Sequence, residues 1–208
     1  MGEPVVENVA VAARGRSGRP AGRWWLLAGI VLLLLPALFA ARAAAQGAGH
    51  PDDIARQVKA AYLYKFASYV EWPPGAFVRG DSAIVIGVIG DEPLAGELSR
   101  MVVGKTVHGR QLEVRGLRRD ASLAGVHVLF VGGARGKSLA QILAATRGQP
   151  LLVVSDSHEA HALGSTINFV MVDQRLRFEV ALKPATDNGL KLSALMLTAA
   201  YHVTREGP

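Results

Sequence analysis

Three stretches of the chain hold residues whose types and spacing could do chemistry. The first is Gly132-Gly133-Ala134-Arg135-Gly136-Lys137-Ser138. A Walker A loop needs Gly, four residues, then Gly-Lys-Ser or Gly-Lys-Thr, so that successive backbone N–H groups cradle phosphates. Here three residues separate Gly132 from Gly136, and the position that should be glycine is Val131. The run Leu151–Val154, closing on Ser155-Asp156, has the form of a Walker B strand, but the loop is one residue short. It reads as a glycine-rich strand-to-helix turn whose helix N-terminus could hold an anion. The second stretch, Gly87-Val88-Ile89-Gly90-Asp91, lacks the G-x-G-x-x-G spacing of a dinucleotide fold. It reads as a βα turn, with Asp91 or Glu92 near the next helix start.

The third stretch is Asp156, His158, Glu159 and His161. Its pattern is H-E-x-H rather than the H-E-x-x-H that sets two imidazoles one turn apart for zinc. On a helix, His158 and His161 at i, i+3 could reach one metal together with Asp156. The competing reading is a capping box, with Asp156 as N-cap and Glu159 at N3. No serine after residue 45 lies in a G-x-S-x-G elbow or an S-x-x-K motif. The 208 residues include no cysteine, which excludes disulfides, thiolate zinc, iron–sulfur clusters and a cysteine nucleophile. No catalytic residue, metal or cofactor is therefore expected.

The elements that must position these groups are legible as alternating runs. Ile54, Val58, Ala61, Leu63, Phe66 and Val70 keep a helical period, predicting a helix over Ile54 to Val70 that Trp72-Pro73-Pro74-Gly75 stops. Short apolar runs at Ala83–Ile89, Leu112–Val114, Val126–Val131 and Leu151–Val154 read as strands, most of them covered on both faces. Helices are expected between them, at about Leu94–Val103 and Ser138–Arg147. Thr166–Val172 and Leu176–Leu182, joined at Asp173-Gln174, predict an antiparallel hairpin. A last helix is expected over about Pro184 to Thr204, its first turns weakened by Asp187-Asn188-Gly189. The fold class is α/β: a single three-layer domain, with a mixed, mostly parallel sheet and helices on both faces.

Charge and the N-terminus bear on location. Arg14, Arg16, Arg19 and Arg23 lead into an apolar stretch, Trp24 to Ala41, followed by Ala43-Ala44-Ala45. A basic region, an apolar region and a small-residue site describe a secretory signal peptide over residues 1–45, cleaved before Gln46, leaving a domain over 46–208. A retained membrane anchor is the alternative, because the stretch reaches the lower limit for a span. The formal net charge is +6 for the whole chain, and half of that excess lies in residues 1–45. Nucleic-acid binding needs clustered Lys/Arg. Only Arg115, Arg118 and Arg119 cluster, and they read as a solvated edge, so no nucleic-acid partner is expected.

Several stretches, taken in order, resemble one family. Lys59 to Pro73 is similar to its opening helix, which ends in an aromatic residue and Trp-Pro (Trp72-Pro73). Ile86 to Asp91 is similar to its first strand and turn, and Gly109-Arg110 to the entry of the next strand. Gly164 to Leu182 and Gly189 to Ser193 resemble its close: a small-residue turn, Ile167-Asn168-Phe169, a short turn, Arg177-Phe178-Glu179, then Gly189-Leu190-Lys191 and a leucine-rich helix. This is the YfiR family of exported repressors, and the resemblance covers about Ile54 to Tyr201.

The resemblance implies a non-catalytic periplasmic protein that binds the periplasmic sensor region of an inner-membrane GGDEF diguanylate cyclase. It would thereby lower cyclic di-GMP and biofilm formation. The resemblance further implies an outer-membrane-linked lipoprotein that sequesters the repressor, and a homodimer. Ile167, Glu179 and Lys191 match family positions implicated in partner or ligand contact. Each also has a structural reading: Ile167 as core, Glu179 as a local partner of Arg177, Lys191 as a solvated helix residue. Two departures stand out. Ala181 replaces an asparagine common in the family, and the absence of cysteine removes thiol-based redox control. The alternative function is a periplasmic small-molecule-binding module, using the crevice at the strand ends near Gly90-Asp91 and Gly132-Gly133.

Overall fold

The computed structural model describes residues 51–205, so the proposed leader over residues 1–45 lies outside the described residues. Helix α1 (Pro51–Ser68) opens the domain and is followed by the two-residue strand β1 (Val70–Glu71). Next come β2 (Ile84–Ile89), α2 (Glu92–Val102), β3 (Thr106–Val107) and β4 (Arg110–Leu117). They are followed by β5 (Val128–Val131), α3 (Gly136–Ala145), β6 (Leu152–Ser155) and the one-turn helix α4 (Ala160–Leu163). The hairpin β7 (Ile167–Val172) and β8 (Arg175–Ala181) leads to α5 (Leu182–Asp187), β9 (Lys191–Leu192), α6 (Ala194–Ala199) and β10 (His202–Thr204).

Eight strands form one mixed sheet in the order β10-β8-β7-β6-β5-β2-β4-β3, parallel except at the β7–β8 hairpin and the β3–β4 edge. Strands β2, β5 and β6 are buried along their whole length, as their uninterrupted apolar runs require of strands covered twice. One face packs against Leu63 and Phe66 of α1, Leu94 and Leu98 of α2, and Ala185, Leu190 and Met196. The other packs against Leu139, Ile142 and Leu143 of α3 and Ala160 of α4. This is the expected three-layer α/β arrangement. Asp91 caps α2 by accepting the Leu94 N–H at 3.0 Å, which satisfies one of the orphan donors of a helix start. The hairpin turn holds Asp173 and Gln174 both at positive φ, 47° and 59°, the two-residue geometry whose twist matches the flanking strands.

The C-terminal segment differs from the single helix expected over Pro184 to Thr204. After α5 the chain stops in a Schellman closure: Gly189 sits at φ +71°, its N–H bonds the Thr186 carbonyl, and the Leu190 N–H bonds the Ala185 carbonyl. Asp187-Asn188-Gly189 is therefore a helix stop rather than a weak start. Asn188 anchors it from within, donating to the Leu151 carbonyl and accepting the Gly148 N–H. Lys191 and Leu192 then pair antiparallel with Glu71 and Val70, which also ends α1 two residues before the expected Val70. Ser193 caps α6 through the Met196 N–H, and β10 runs parallel beside β8.

At the N-terminal end of the sheet, His127 is 4% exposed and spans two segments. Its Nδ1 accepts the Val85 N–H at 3.1 Å, which leaves Nε2–H to donate to the Ala76 carbonyl at 3.2 Å. Phe77 stacks on the imidazole at 4.3 Å, and the Arg110 guanidinium lies 3.8 Å from the Phe77 ring centre. Burial, with smaller contributions from Arg110 and Arg115, pushes the His127 pKa below its usual 6.5, against the Ala76 hydrogen bond that raises it. The unfolded chain thus binds a proton here that the folded chain refuses. Stability from this site is full above about pH 6.5 and is lost as pH falls through the lowered folded value, at no more than about 1.4 kcal/mol per pH unit. Urea titrations between neutral and mildly acid pH should show that slope, and His127→Gln should flatten the share due to this residue.

Candidate functional site

The parallel strands end together at Gly90-Asp91, Gly132-Gly133 and Ser155-Asp156. From β2 the chain passes to β4 on one side and then returns to β5 on the other, so the switch point at which α/β folds open a ligand crevice lies between β2 and β5. Here backbone from the two loops meets. The Gly132 N–H donates to the Ile89 carbonyl at 2.8 Å. A Cβ on Gly90, whose φ is +78°, would stand 2.1 Å from the Gly132 carbonyl oxygen. The two loops abut at Gly90 and Gly132, and beside them a pocket of about 150 Å3 remains, lined by residues that include Ile89, Leu123, Ser138 and Ile142. Glycine is required at position 90 by conformation and by contact at once.

The acidic groups of the third stretch are spent on separate tasks. Helix α4 begins only at Ala160, and Glu159 makes no side-chain cap bond, so Asp156 and Glu159 do not form a capping box. Asp156 instead takes the Lys59 ammonium at 2.5 Å, with side-chain exposures of 26% and 17%. That pair ties α1 to the end of β6 across 97 residues of sequence. Glu159 accepts the Gly136 N–H at the start of α3. A carboxylate of the chain thus takes the place that the Walker-like reading gave to a bound anion, where the helix dipole favours negative charge. His158 is exposed, whereas His161 turns inward. The four residues of the H-E-x-H stretch therefore diverge.

His161 belongs to a different group. Its Nδ1 lies 3.2 Å from the Ser165 carbonyl, and its Nε2 is 3.8 Å from the Glu179 carboxylate. Burial pushes its pKa down, against the Ser165 carbonyl and Glu179, which raise it. Asn168 stands opposite Glu179 in the β7–β8 register, and His202 stands opposite it on β10. The Asn168 Oδ1, Thr166 Oγ1 and His161 Nε2 atoms are buried without a hydrogen-bond partner among the described residues. Glu179 thus faces His161, not Arg177, which is exposed. Sequence reading missed this group because its members come from four elements, and only strand pairing brings them together.

The three residues implicated by the resemblance fall in different places. Ile167 is 0% exposed and sits in the core. Its side chain fills the interior on the sheet face opposite that of its neighbour Asn168, the core placement that was its structural reading. Glu179 is half-buried in the polar group just described, with a side chain 27% exposed. Lys191 is exposed and stands directly opposite Glu71 in the small β1–β9 ribbon. It is a strand residue, not the helix residue the sequence suggested.

A three-layer α/β domain with a mixed sheet is the class this geometry defines. The chain matches the family model described as YfiR/HmsC-like over residues 56–201, and it belongs to that family. No curated protein matches the chain. Among the described residues, no helix is long and apolar enough to cross a membrane.

The Gly90 contact makes a measurable difference between two glycines of similar φ. Gly104, at +69°, has open space where a Cβ would go, so Gly104→Ala should cost about 1–2 kcal/mol, the left-handed penalty alone. Gly90→Ala should cost roughly 2 kcal/mol more, because backbone rather than a flexible side chain must move. Denaturant midpoints of the two variants check this.

Proposed function

We propose that the protein is a non-catalytic periplasmic regulator that binds the periplasmic sensor region of an inner-membrane GGDEF diguanylate cyclase and represses it, lowering cyclic di-GMP. The observation that carries this reading is membership of the YfiR/HmsC-like family over nearly all of the described chain. The basic and apolar N-terminal segment supports export, with cleavage before Gln46. Consistent with a binding role, Asp156, Glu159 and His161 are engaged in separate structural contacts.

Binding in such a protein is surface chemistry, an apolar contact rimmed by charges. The β1–β9 ribbon offers that combination: Glu71 and Lys191 lie across from each other, and the chain runs on into α6, where Leu195 is 71% exposed. Lys191 and Glu179 are the proposed contact residues. A homodimer and an outer-membrane-linked lipoprotein that sequesters the repressor complete the proposed circuit. Thiol oxidation cannot tune this member, since the chain has no cysteine.

Deleting the gene should raise cellular cyclic di-GMP, and complementation with the exported chain should restore it. Complementation with Lys191→Glu, at equal periplasmic level and unchanged thermal stability, should fail to restore it. Unchanged cyclic di-GMP on deletion, while the protein is expressed, would overturn the reading.

A further inference from the structure

One cavity lies away from the strand ends and from the β1–β9 ribbon. It is a groove of about 630 Å3 between β8 and the segment that runs from α6 into β10, with Arg175 and Arg177 on one side and Thr198, Ala199, Ala200 and Tyr201 on the other. Strand β8 has seven residues, but β10 pairs only with Glu179, Val180 and Ala181. The last bond on that edge is Tyr201 N–H to the Phe178 carbonyl at 2.8 Å. Since the Phe178 carbonyl points outward, the N–H and C=O of Leu176, two residues earlier, point outward as well. Beside the groove, β8 thus keeps a short edge at Leu176 that β10 leaves unpaired, and the facing wall is made of the small residues Ala199 and Ala200.

Two of the three charged residues around it are arginines. Arg175 and Arg177 are both exposed and, at i and i+2, project from the same face of β8. Neither is in an ion pair among the described residues, and the carboxylate nearest in register, Glu179, is turned toward His161. Asp173 at the hairpin turn lies at the mouth of the groove. Pairing of two copies through this edge would bring arginines against arginines, whereas an extended strand with carboxylates on alternate residues would meet both.

We propose that this groove binds an extended acidic segment of a partner protein, which adds to the open edge of β8 by backbone hydrogen bonds while its carboxylates engage Arg175 and Arg177. This is strand addition in a strand–helix groove, where the main chain supplies affinity and alternate side chains supply specificity. Exposed Tyr201, 58% accessible, gives the bound segment an aromatic wall.

The test uses protein purified from expression of the full chain and a fluorescein-labelled octapeptide of alternating Glu and Val, read by anisotropy. Saturable binding below about 1 mM is expected, weakening by at least about tenfold in Arg175→Glu/Arg177→Glu. Ala199→Trp, which fills the groove without altering charge, should cause a similar loss, and Arg147→Glu, a remote exposed arginine, should leave binding unchanged. A peptide N-methylated at alternate residues should bind far more weakly. Equal binding of a Lys-Val peptide, insensitivity to the double charge reversal, or insensitivity to N-methylation would each overturn the proposal. So would sedimentation showing a dimer that the double charge reversal dissociates, because the groove would then hold a second copy. These outcomes are read on the isolated protein, so they stand or fall separately from the cyclic di-GMP experiment.

Discussion

The aromatic contact between α1 and the β7–β8 hairpin organises everything else. Tyr62 and Phe66, one turn apart on α1, meet Phe169 and Phe178, which face each other across the hairpin. The ring centres lie 5.0–6.0 Å apart, the range in which such pairs contribute about 0.5–1.5 kcal/mol beyond their buried area. Because α1 lies on the hairpin, its exit is carried to the C-terminal segment. There Val70 pairs with Leu192, and the Ser193 N–H bonds the Tyr69 carbonyl. The two ends of the described chain are closed on each other by that one contact.

This contact explains why the family resemblance was strongest at Lys59–Pro73 and Gly164–Ser193. The two stretches, far apart in sequence, are two halves of one interface. A motif of that origin identifies a fold with good specificity and a binding surface with very little. Ile167 illustrates the point: it lies in the matching stretch and fills the core, a role that packing alone accounts for.

The central strands were legible because burial on both faces leaves a continuous apolar run, and the hairpin because its turn needs two residues that tolerate positive φ. The C-terminal segment was not legible as it is. Leu190, Leu192, Leu195, Met196 and Leu197 fit a helical period well enough, but only Leu190 and Met196 among them are buried. What breaks the helix is closure at Gly189, and β9 exists only because β1 is there to pair with it. The Lys59–Asp156 pair was invisible for the same reason: Lys59 looked like a solvated helix position until the end of β6 was placed beside it. Local period predicts local structure, and none of these decisions is local.

The same asymmetry of covering bears on where the molecule interacts. One sheet face is roofed by α1, α2 and the C-terminal segment, while the other is covered by α3 and the single turn of α4, which reach β6 and β7. Beyond them Asn168, Glu179, Arg177 and Arg175 occupy that face of the hairpin, and burial gives way to charge along the strands. An open strand edge invites indiscriminate pairing, and positive side chains on it are one of the ways proteins prevent that. Arg175 and Arg177 therefore have a structural reason to be there in any case. The physical difference between a merely protected edge and a working one is the groove: protection needs only charge, whereas strand addition would need a cavity beside unpaired β8 backbone, such as the one lined by Arg175, Arg177 and Ala199. At the strand ends, by contrast, Gly90 and Gly132 bring two loops into backbone contact. On the strand-addition proposal, a fold whose strand-end loops abut and whose basic strand edge stays open would read extended chains at that edge.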